Sequence, residues 1–344
     1  MCPAHKKVTH SSASSVKLPR GMIMKKLITT ILLACLTASI FALPNLLKKE
    51  QFGADAINCL EFNLSSEDLK IEETYDVTSI DVEIYCNYKK IIPEVSVSGS
   101  TLYIDSANNG VNFFTNPTGY NCTVIVYVPQ KKDFDEISIK SSSGEIELAR
   151  PLSAKTEIKI SASSGDIRSV KGLFADTVKV SSSSGEISLY NIDSDTFRVT
   201  STSGDISIRK FTGGNGSLQA TSGNINAEDF ASEYAEFKTS SGGITVKKLD
   251  CDYFDANNTS GGISLELKSA PSATSSLECS SGNINLYMPM RAKFSVEAAC
   301  SSGTFRDKFN NNRLNPREGY TMDYNGGGAL IKLHTTSGDI SLDY

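Results

Sequence analysis

Residues 178–208, VKVSSSSGEISLYNIDSDTFRVTSTSGDISI, contain nearly the same sequence twice, because VKVSSSSGEISL is followed nineteen residues later by FRVTSTSGDISI. Ten such copies, each with a Ser-Gly dipeptide, follow one another along the chain. Their glycines are 19 to 21 residues apart, except for a last interval of 35 residues that contains an insertion. A period in this range is typical of solenoid proteins. The ten glycines are Gly144, Gly165, Gly185, Gly204, Gly223, Gly242, Gly261, Gly282, Gly303 and Gly338.

Apolar and polar residues alternate on both sides of each Ser-Gly dipeptide, which indicates two short strands with one buried face each. A single twenty-residue unit cannot bury that face alone, but stacked units can. The sequence therefore predicts an all-β fold: a single parallel β-solenoid, right-handed by the general rule for parallel crossovers, with about ten coils of 19–21 residues. The apolar residues two positions after the glycines are Ile146, Ile167, Ile187, Ile206, Ile225, Ile244, Ile263, Ile284, Phe305 and Ile340.

The Ser-Gly dipeptide itself is interpreted as a structural corner. Glycine permits a positive φ or a close approach between stacked backbones. Neighbouring Ser and Thr hydroxyls can bond the backbone groups that a bend leaves unpaired.

Residues 1–42 have the pattern of a leader. MKK at residues 24–26 precedes the apolar run LITTILLACLTASIFA, as in a secretory signal peptide. The polar residues before this run lack periodicity, so we expect translation to start at Met22 or Met24, and cleavage to follow Ala42. An uncleaved membrane anchor that extends to Leu47 is the alternative.

The LLAC sequence within this run resembles a bacterial lipobox, which would make Cys35 a lipidated first residue. Either leader predicts an exported protein, in the periplasm or at the cell surface. Contact with a membrane is expected only through such a lipid or through an uncleaved leader.

The charge balance excludes one class of partner. The leader holds six of the 34 Lys and Arg residues and no acidic residue, so its removal leaves 28 basic against 39 acidic residues, a net charge of −11. An acidic surface is unsuited to nucleic acid. No sequence motif for a cofactor is present, and none is predicted.

The chain divides into three parts. After the leader, residues 43–136 are rich in strands and form irregular leading coils or a cap, since the open end of a solenoid exposes a strand edge. Residues 137–344 form the solenoid, with an insertion at residues 304–330.

The residue after the corner glycine is acidic in four consecutive copies, at Glu145, Asp166, Glu186 and Asp205. Carboxylates stacked at strand spacing repel one another, and a bound calcium ion could relieve the repulsion. The alternative is that they are solvated turn residues, and we predict no metal site.

Two cysteines, Cys279 and Cys300, each precede a corner glycine by three residues. This spacing places them one above the other in consecutive coils, as a pair of buried thiols or as a disulfide.

The insertion combines basic and aromatic residues on an otherwise acidic chain, and projections from a rigid scaffold are frequent binding sites. The alternative is a capping loop at the end of the solenoid. The candidate binding residues are Arg306, Lys308, Arg313, Arg317, Tyr320 and Tyr324.

Catalysis is the competing class of function, because enzymes that act on polysaccharides also use parallel β-helices. No Ser/His/Asp set, zinc motif or phosphate-binding loop is recognisable in the sequence. A flat surface of stacked hydroxyls, for binding ice or a mineral, is a third class of function. The column of residues beside these hydroxyls varies from copy to copy, so the surface is not regular. We predict that the protein is not an enzyme.

Residues 124–344 resemble the bacterial putative-adhesin family of β-strand-repeat domains, which have no known function and are related to the head domains of autotransporter adhesins. The resemblance is carried by VIVYVP before ISIKSSSGEIEL, by the serial SSGEISL, TSGDISI, TSGNINA and SSGGITV, and by the closing GGGALIKLHTTSGDISLDY. It implies a non-enzymatic scaffold for adhesion or interaction in the cell envelope, with an unknown envelope or host-surface ligand. A periplasmic structural or envelope-stress protein is the alternative.

Overall fold

A computed structural model describes residues 45–89, 91–106, 119–317 and 319–344. The leader and the candidate lipidation site Cys35 lie outside these residues. Apart from a short 3-10 helix at Ala54–Ala56, the described elements are all strands, so the chain is all-β as predicted. Among these elements no helix has the length and apolar character that would span a membrane.

The strands of the first part are β1 Asn45–Gly53, β2 Cys59–Leu64, β3 Asp68–Thr74, β4 Ser79–Cys86, β5 Glu94–Ser98, β6 Thr101–Asp105, β7 Cys122–Pro129, β8 Phe134–Ser141 and β9 Ile146–Leu148. Those of the middle are β10 Leu152–Ala162, β11 Ile167–Ser169, β12 Leu173–Phe174, β13 Thr177–Ser182, β14 Ile187–Ser201, β15 Ile206–Ala220, β16 Ile225–Ser241 and β17 Ile244–Ser260. Those of the last part are β18 Ile263–Leu267, β19 Ser275–Ser281, β20 Ile284–Tyr287, β21 Phe294–Ser302, β22 Phe305–Asp307, β23 Asn312–Leu314, β24 Tyr320–Tyr324, β25 Leu330–Ser337 and β26 Ile340–Asp343.

The repeats stack in parallel and in register. We call one copy of the repeat a rung and name it by its corner glycine. In the middle of the chain β14, β15, β16 and β17 pair side by side, so that the isoleucines that follow four successive corners are partners. Because side chains alternate across a strand, every second residue points into the stack. The prediction of parallel stacked repeats is confirmed for this region.

Phenylalanines fill the interior of these rungs. Phe197, Phe211, Phe230 and Phe237 are fully buried, and the centroids of neighbouring rings lie 4.8 to 5.1 Å apart. Such contacts add to the free energy gained by removing the rings from water. The core is therefore a continuous apolar column along the stack.

The corner glycines form a column of their own. A Cβ on Gly165 would lie 1.9 Å from the carbonyl oxygen of Gly144, and a Cβ on Gly144 would lie 1.8 Å from that of Glu67. Close approach of backbone to backbone therefore requires glycine at these corners.

The first part of the chain contains a rung that has no glycine at its corner. Leu69 pairs with Ile146, and Glu67 occupies the corner position that glycine holds elsewhere. The Glu67 carboxylate is buried and accepts hydrogen bonds from the backbone N–H of Ser65 and from the hydroxyl of Tyr120. The signal was SSEDLKI at residues 65–71, a copy of the repeat without its glycine.

The order of rungs at this end differs from the order of the chain. Strands β2 and β3 lie between β6 and β7 on one side and β8 and β9 on the other. Antiparallel strands then close the end: β5 pairs with β6, β4 with β7, and β1 with β4. A disulfide between Cys86 and Cys122 joins β4 to β7. The sheet is therefore mixed, and a purely parallel solenoid is an incomplete description.

The C-terminal end repeats this arrangement. Strands β25 and β26 lie between β19 and β20 on one side and β21 and β22 on the other. The insertion supplies β23 and β24, which pair antiparallel with β22 and β21. The rung that comes last in the sequence, formed by β25 and β26, is therefore the second from the end of the stack.

This order corrects the prediction for the two cysteines. Cys279 and Cys300 are not in adjacent rungs, because Thr335 pairs with both of them and lies between them. Both thiols are free and buried. The prediction assumed that consecutive copies in the sequence are neighbours in space.

Candidate functional site

The acidic column after the corner glycines bonds the backbone of neighbouring rungs. Asp166 Oδ1 accepts a hydrogen bond from the N–H of Glu186 at 2.8 Å, and Asp205 Oδ1 accepts one from the N–H of Asn224 at 2.7 Å. The N–H of Glu145 donates in the same way to Asp68, at 2.9 Å. A short carboxylate side chain reaches the next rung, so this column has a structural use.

No described group of three or more His, Cys, Asp or Glu side chains is arranged to hold a metal ion. The carboxylates of Asp166 and Asp205 already accept backbone donors. Further along the same column, hydrogen bonds from the N–H and hydroxyl of Thr304 hold the pKa of Asp339 below its usual value. Backbone donors thus satisfy the carboxylates of Asp166 and Asp205, two of the four for which a cation was considered.

The basic residues of the insertion lie on its outer face. Arg306 and Arg313 are exposed and are partners across the antiparallel pair β22–β23. Lys308 forms an ion pair with Asp343, and Arg317 is exposed. Of the four, Arg306 and Arg313 are the two that the fold brings together by strand pairing.

The aromatic residues of the insertion point the other way. Tyr324 is only 3% exposed, stacks on Phe294 at 4.7 Å between centroids, and donates its hydroxyl to Asp307 at 3.0 Å. Tyr320 is half-buried, with its ring 5.7 Å from that of Phe305. Tyr324 is therefore a core residue of the cap and not part of a contact surface. An insertion has no repeat column to show which side faces inward, so the burial of Tyr324 could not be foreseen from the sequence.

A groove on the side of the stack was not foreseen from the sequence. Its floor is the column of partners Arg168, Ser188, Ser207 and Asn226, contributed by four neighbouring rungs. The groove has a volume of about 310 Å³, and we call it the arginine groove. The two central serines are small, so the larger side chains on either side form its boundaries. The signal was the third position after each corner glycine, which faces outward and is small in the middle of this column.

The wall of the arginine groove is formed by Tyr190, Arg209 and Glu228. The guanidinium carbon of Arg209 lies 5.1 Å from the centroid of the Tyr190 ring, and its Nε lies 3.9 Å from Glu228. Tyr190 is 46% exposed. The side chains of Arg209 and Glu228 are about two thirds exposed, so their ion pair is weak in water.

A second groove, of about 410 Å³, runs along another side of the stack. Glu278 and His334 are partners on adjacent strands there, beside the hydroxyls of Ser280 and Thr336. Between the described residues no hydrogen bond joins His334 to Glu278 or to either hydroxyl. This juxtaposition therefore lacks the connected hydrogen bonds of a nucleophile, a base and an orienting acid.

Among the described residues, the cysteines outside the disulfide are free thiols, of which Cys279 and Cys300 are buried and Cys59 and Cys251 half-buried. Burial, reinforced by Asp250 and Asp252, raises the pKa of the Cys251 thiol to about 12. Cys279 donates from Sγ to the carbonyl of Gly261 at 3.1 Å. Burial also raises the pKa of the Cys279 thiol, and thiols that stay protonated are poor nucleophiles, so Cys251 and Cys279 are unsuited to nucleophilic catalysis.

Solved structures with a similar chain course share little sequence with this protein. A lipid binding protein from Parabacteroides distasonis, described as putative, is 16% identical, with 86% of this chain and 96% of that chain covered and a TM-score of 0.42. A putative adhesin from Bacteroides fragilis is 12% identical, with coverage of 86% and 96% and a TM-score of 0.33. A putative cell adhesion protein from Clostridium sporogenes is 11% identical, with coverage of 86% and 98% and a TM-score of 0.21.

No curated protein matches the sequence. A family model does match it, twice: once over residues 57–214 and once over residues 171–343. The two matches together span the first parallel rungs, the central stack and the C-terminal end. The chain belongs to the Toastrack DUF4097 family.

Proposed function

We propose that this protein is an exported, non-enzymatic scaffold of a bacterial cell envelope that acts in adhesion or interaction through the sides of its stack. The finer fold belongs to the same proposal: a right-handed solenoid of about ten turns, between a first part at residues 43–136 and a capped C-terminal end, in which the order of the rungs departs from the order of the chain at both ends. The leader at residues 1–42 would direct export, with cleavage after Ala42 or lipidation at Cys35.

The observation that carries this proposal is the closure of both ends of the stack. Antiparallel strands pair with the outermost parallel strands at each end, namely β4 and β5 at one and β23 and β24 at the other. These antiparallel strands occupy the edges on which a further parallel rung would pair. The sides of the stack, with their outward columns and grooves, are therefore the extended surfaces left for a ligand.

Intact-cell proteolysis tests where this surface is displayed. Cells that express the full chain are treated with a protease, and the loss of residues 45–344 is followed by immunoblot. We expect digestion in intact cells if the scaffold is an external adhesin. Complete protection until the outer envelope is opened would support the alternative, a periplasmic structural or envelope-stress protein.

Sequencing of the mature N-terminus tests the leader. A start near Leu43 indicates a cleaved signal peptide, and a modified Cys35 at the start indicates a lipoprotein. An intact leader on a protein that remains in the cytoplasm would contradict export altogether.

An enzyme that acts on polysaccharides is the remaining class. The purified protein is incubated with acidic and neutral polysaccharides, with and without calcium, and the products are separated by size. We expect no shortening. Turnover that Asp166→Asn or Glu186→Gln abolishes would overturn the non-enzymatic assignment.

A further inference from the structure

We propose that the arginine groove binds an acidic polysaccharide, through carboxylates held by Arg168 and Arg209. The proposal names a ligand class for the scaffold proposed above and in that sense rests on it.

The geometry favours a linear ligand. Arg168, Ser188, Ser207 and Asn226 are successive partners in parallel strands, so they repeat at about 4.8 Å along the stack. This spacing is close to the length of one pyranose unit in an extended polysaccharide. A chain laid along the floor would therefore meet a new rung at each sugar.

The charge favours an anionic ligand. Arg168 lies beside Glu147, whose carboxylate is 3.9 Å from Lys70, and no ion pair of Arg168 is found in the described residues. Arg209 is held on the Tyr190 ring and contacts Glu228 only at 3.9 Å. Both guanidinium groups thus retain hydrogen-bond donors for a ligand. Their planar fork matches a carboxylate in two parallel hydrogen bonds.

The acidic column limits which anions fit. Asp166, Glu186 and Asp205 lie on the same outward face, two residues before the floor of the groove. Asp166 and Asp205 are turned to backbone N–H groups of the next rungs. A polymer with one carboxylate on each sugar is therefore favoured over a polyanion that carries several sulfates on each sugar, which would be repelled more strongly along the column.

Hydroxyl recognition completes the site. Ser188, Ser207 and Asn226 offer donors and acceptors along the floor, while the half-exposed Tyr190 ring gives the wall an apolar surface. A sugar has both hydroxyls and an apolar ring face, so it can use both surfaces. A polysaccharide with uronic acid units combines these features with the carboxylate.

Calorimetric titration of the purified full-length protein tests the site. Tetragalacturonate is the acidic probe and cellotetraose is the neutral control, both in low-salt buffer. We expect binding of tetragalacturonate that weakens as salt is added, and at least about tenfold weaker binding of cellotetraose. Equal binding of both probes would overturn the proposal, and so would no binding of either at millimolar concentration.

Amino-acid substitutions test whether the probe binds in the arginine groove. Combined Arg168→Ala and Arg209→Ala is expected to weaken tetragalacturonate binding at least about tenfold, and the Lys versions are expected to recover only part of it, because lysine keeps the charge without the fork. Arg198→Ala, at an exposed arginine that bonds Gln219 on another side of the stack, is the matched control. An equal loss in the control would contradict the assignment. The titration uses purified protein, so it can fail while the protease experiment succeeds, and the reverse.

Discussion

At the scale of single residues, the corner column shows what the repeat conserves within this chain. The carbonyl oxygen of one rung lies where the Cβ of the next corner residue would be, at 1.9 Å for Gly165 and 2.0 Å for Gly185. Beside this column, the short carboxylates of Asp166 and Asp205 hold backbone N–H groups of the following rungs. In the motif SSGD, the glycine therefore allows the backbones of neighbouring rungs to approach closely, and the aspartate accepts a hydrogen bond from the next rung.

Gly165→Ala is expected to lower the free energy of unfolding by about 2 kcal/mol or more, because the rung must shift away from the Gly144 carbonyl. Gly53→Ala is the matched control, since nothing lies within 4 Å of a Cβ built there. Urea unfolding followed by circular dichroism measures both. Similar losses in the two variants would show that the close approach at the corner is not what requires glycine.

The acidic column is expected to make the fold sensitive to acid at Asp339. Its pKa is held below the usual 3.8 by hydrogen bonds from Thr304, so the charged form stabilises the fold at higher pH. That contribution is lost as the pH falls through 3.8 towards the lower pKa of the folded protein. Asp339→Asn keeps an acceptor but does not titrate, so wild type and variant should converge in stability below pH 3.8. A difference that stays constant with pH would contradict this.

At the scale of elements, the ends of the stack differ from its middle in how strands are protected. The described pairing of β1 is with β4 alone, which leaves β1 at the margin of the sheet. Lys48 and Glu50 are the partners of the buried Ile84 and Val82, so they face the inner side of that margin and pair with each other at 2.9 Å. Charges on the inner face of an edge strand oppose the addition of another strand.

The C-terminal cap depends on a buried polar pair. Asp307 is 1% exposed at a position where the next two rungs of the stack carry Leu342 and Leu286, and it accepts hydrogen bonds from Tyr324 and Asn310. Tyr324→Phe is expected to destabilise the cap by about 1–3 kcal/mol, because a buried carboxylate loses a donor. Combined Tyr324→Phe and Asp307→Leu should recover part of the loss, since the apolar column is then continuous.

Hydrogen exchange in β21 to β24 measures this prediction, with Tyr287→Phe as the control because Tyr287 is exposed. Faster exchange should be confined to the cap. A double variant less stable than Tyr324→Phe alone would contradict the role assigned to Asp307.

The disulfide at the other end is expected to stabilise its own neighbourhood. Cys86 and Cys122 join β4 to β7, which is a strand of the outermost parallel rung. Replacing both with serine should cost about 2–4 kcal/mol at this end. Exchange in β1, β4 and β7 should then rise more than exchange in β14 to β17, because repeat units contact only their neighbours. Uniform acceleration along the chain would contradict this local effect.

At the scale of the whole molecule, the sequence predicts the content of each rung better than the order of the rungs. Alternation around the corner glycines is a local property, so the inward isoleucines and the parallel register could be foreseen. The order could not, because β25 offers the same alternation to β19 and to β21 as any other copy would. For a similar reason, the sequence could not show that the basic residues of the insertion face outward and its aromatic residues inward. Only the pairing with β21 and β22 decides which side of β23 and β24 is buried.

Removal of residues 330–344 tests this order. In a solenoid whose rungs follow the chain, the loss of the last copy would uncover one face and leave the rest intact. Here β25 and β26 separate β19 and β20 from β21 and β22, so their removal should release β21 to β24 as well. We expect hydrogen exchange in residues 294–324 to approach that of an unfolded chain, while β14 to β17 stay protected. Truncation after residue 343, which keeps both strands, is the control. Full protection of residues 294–324 in the shorter chain would show that β21 does not need β25, and that the rungs follow the order of the sequence.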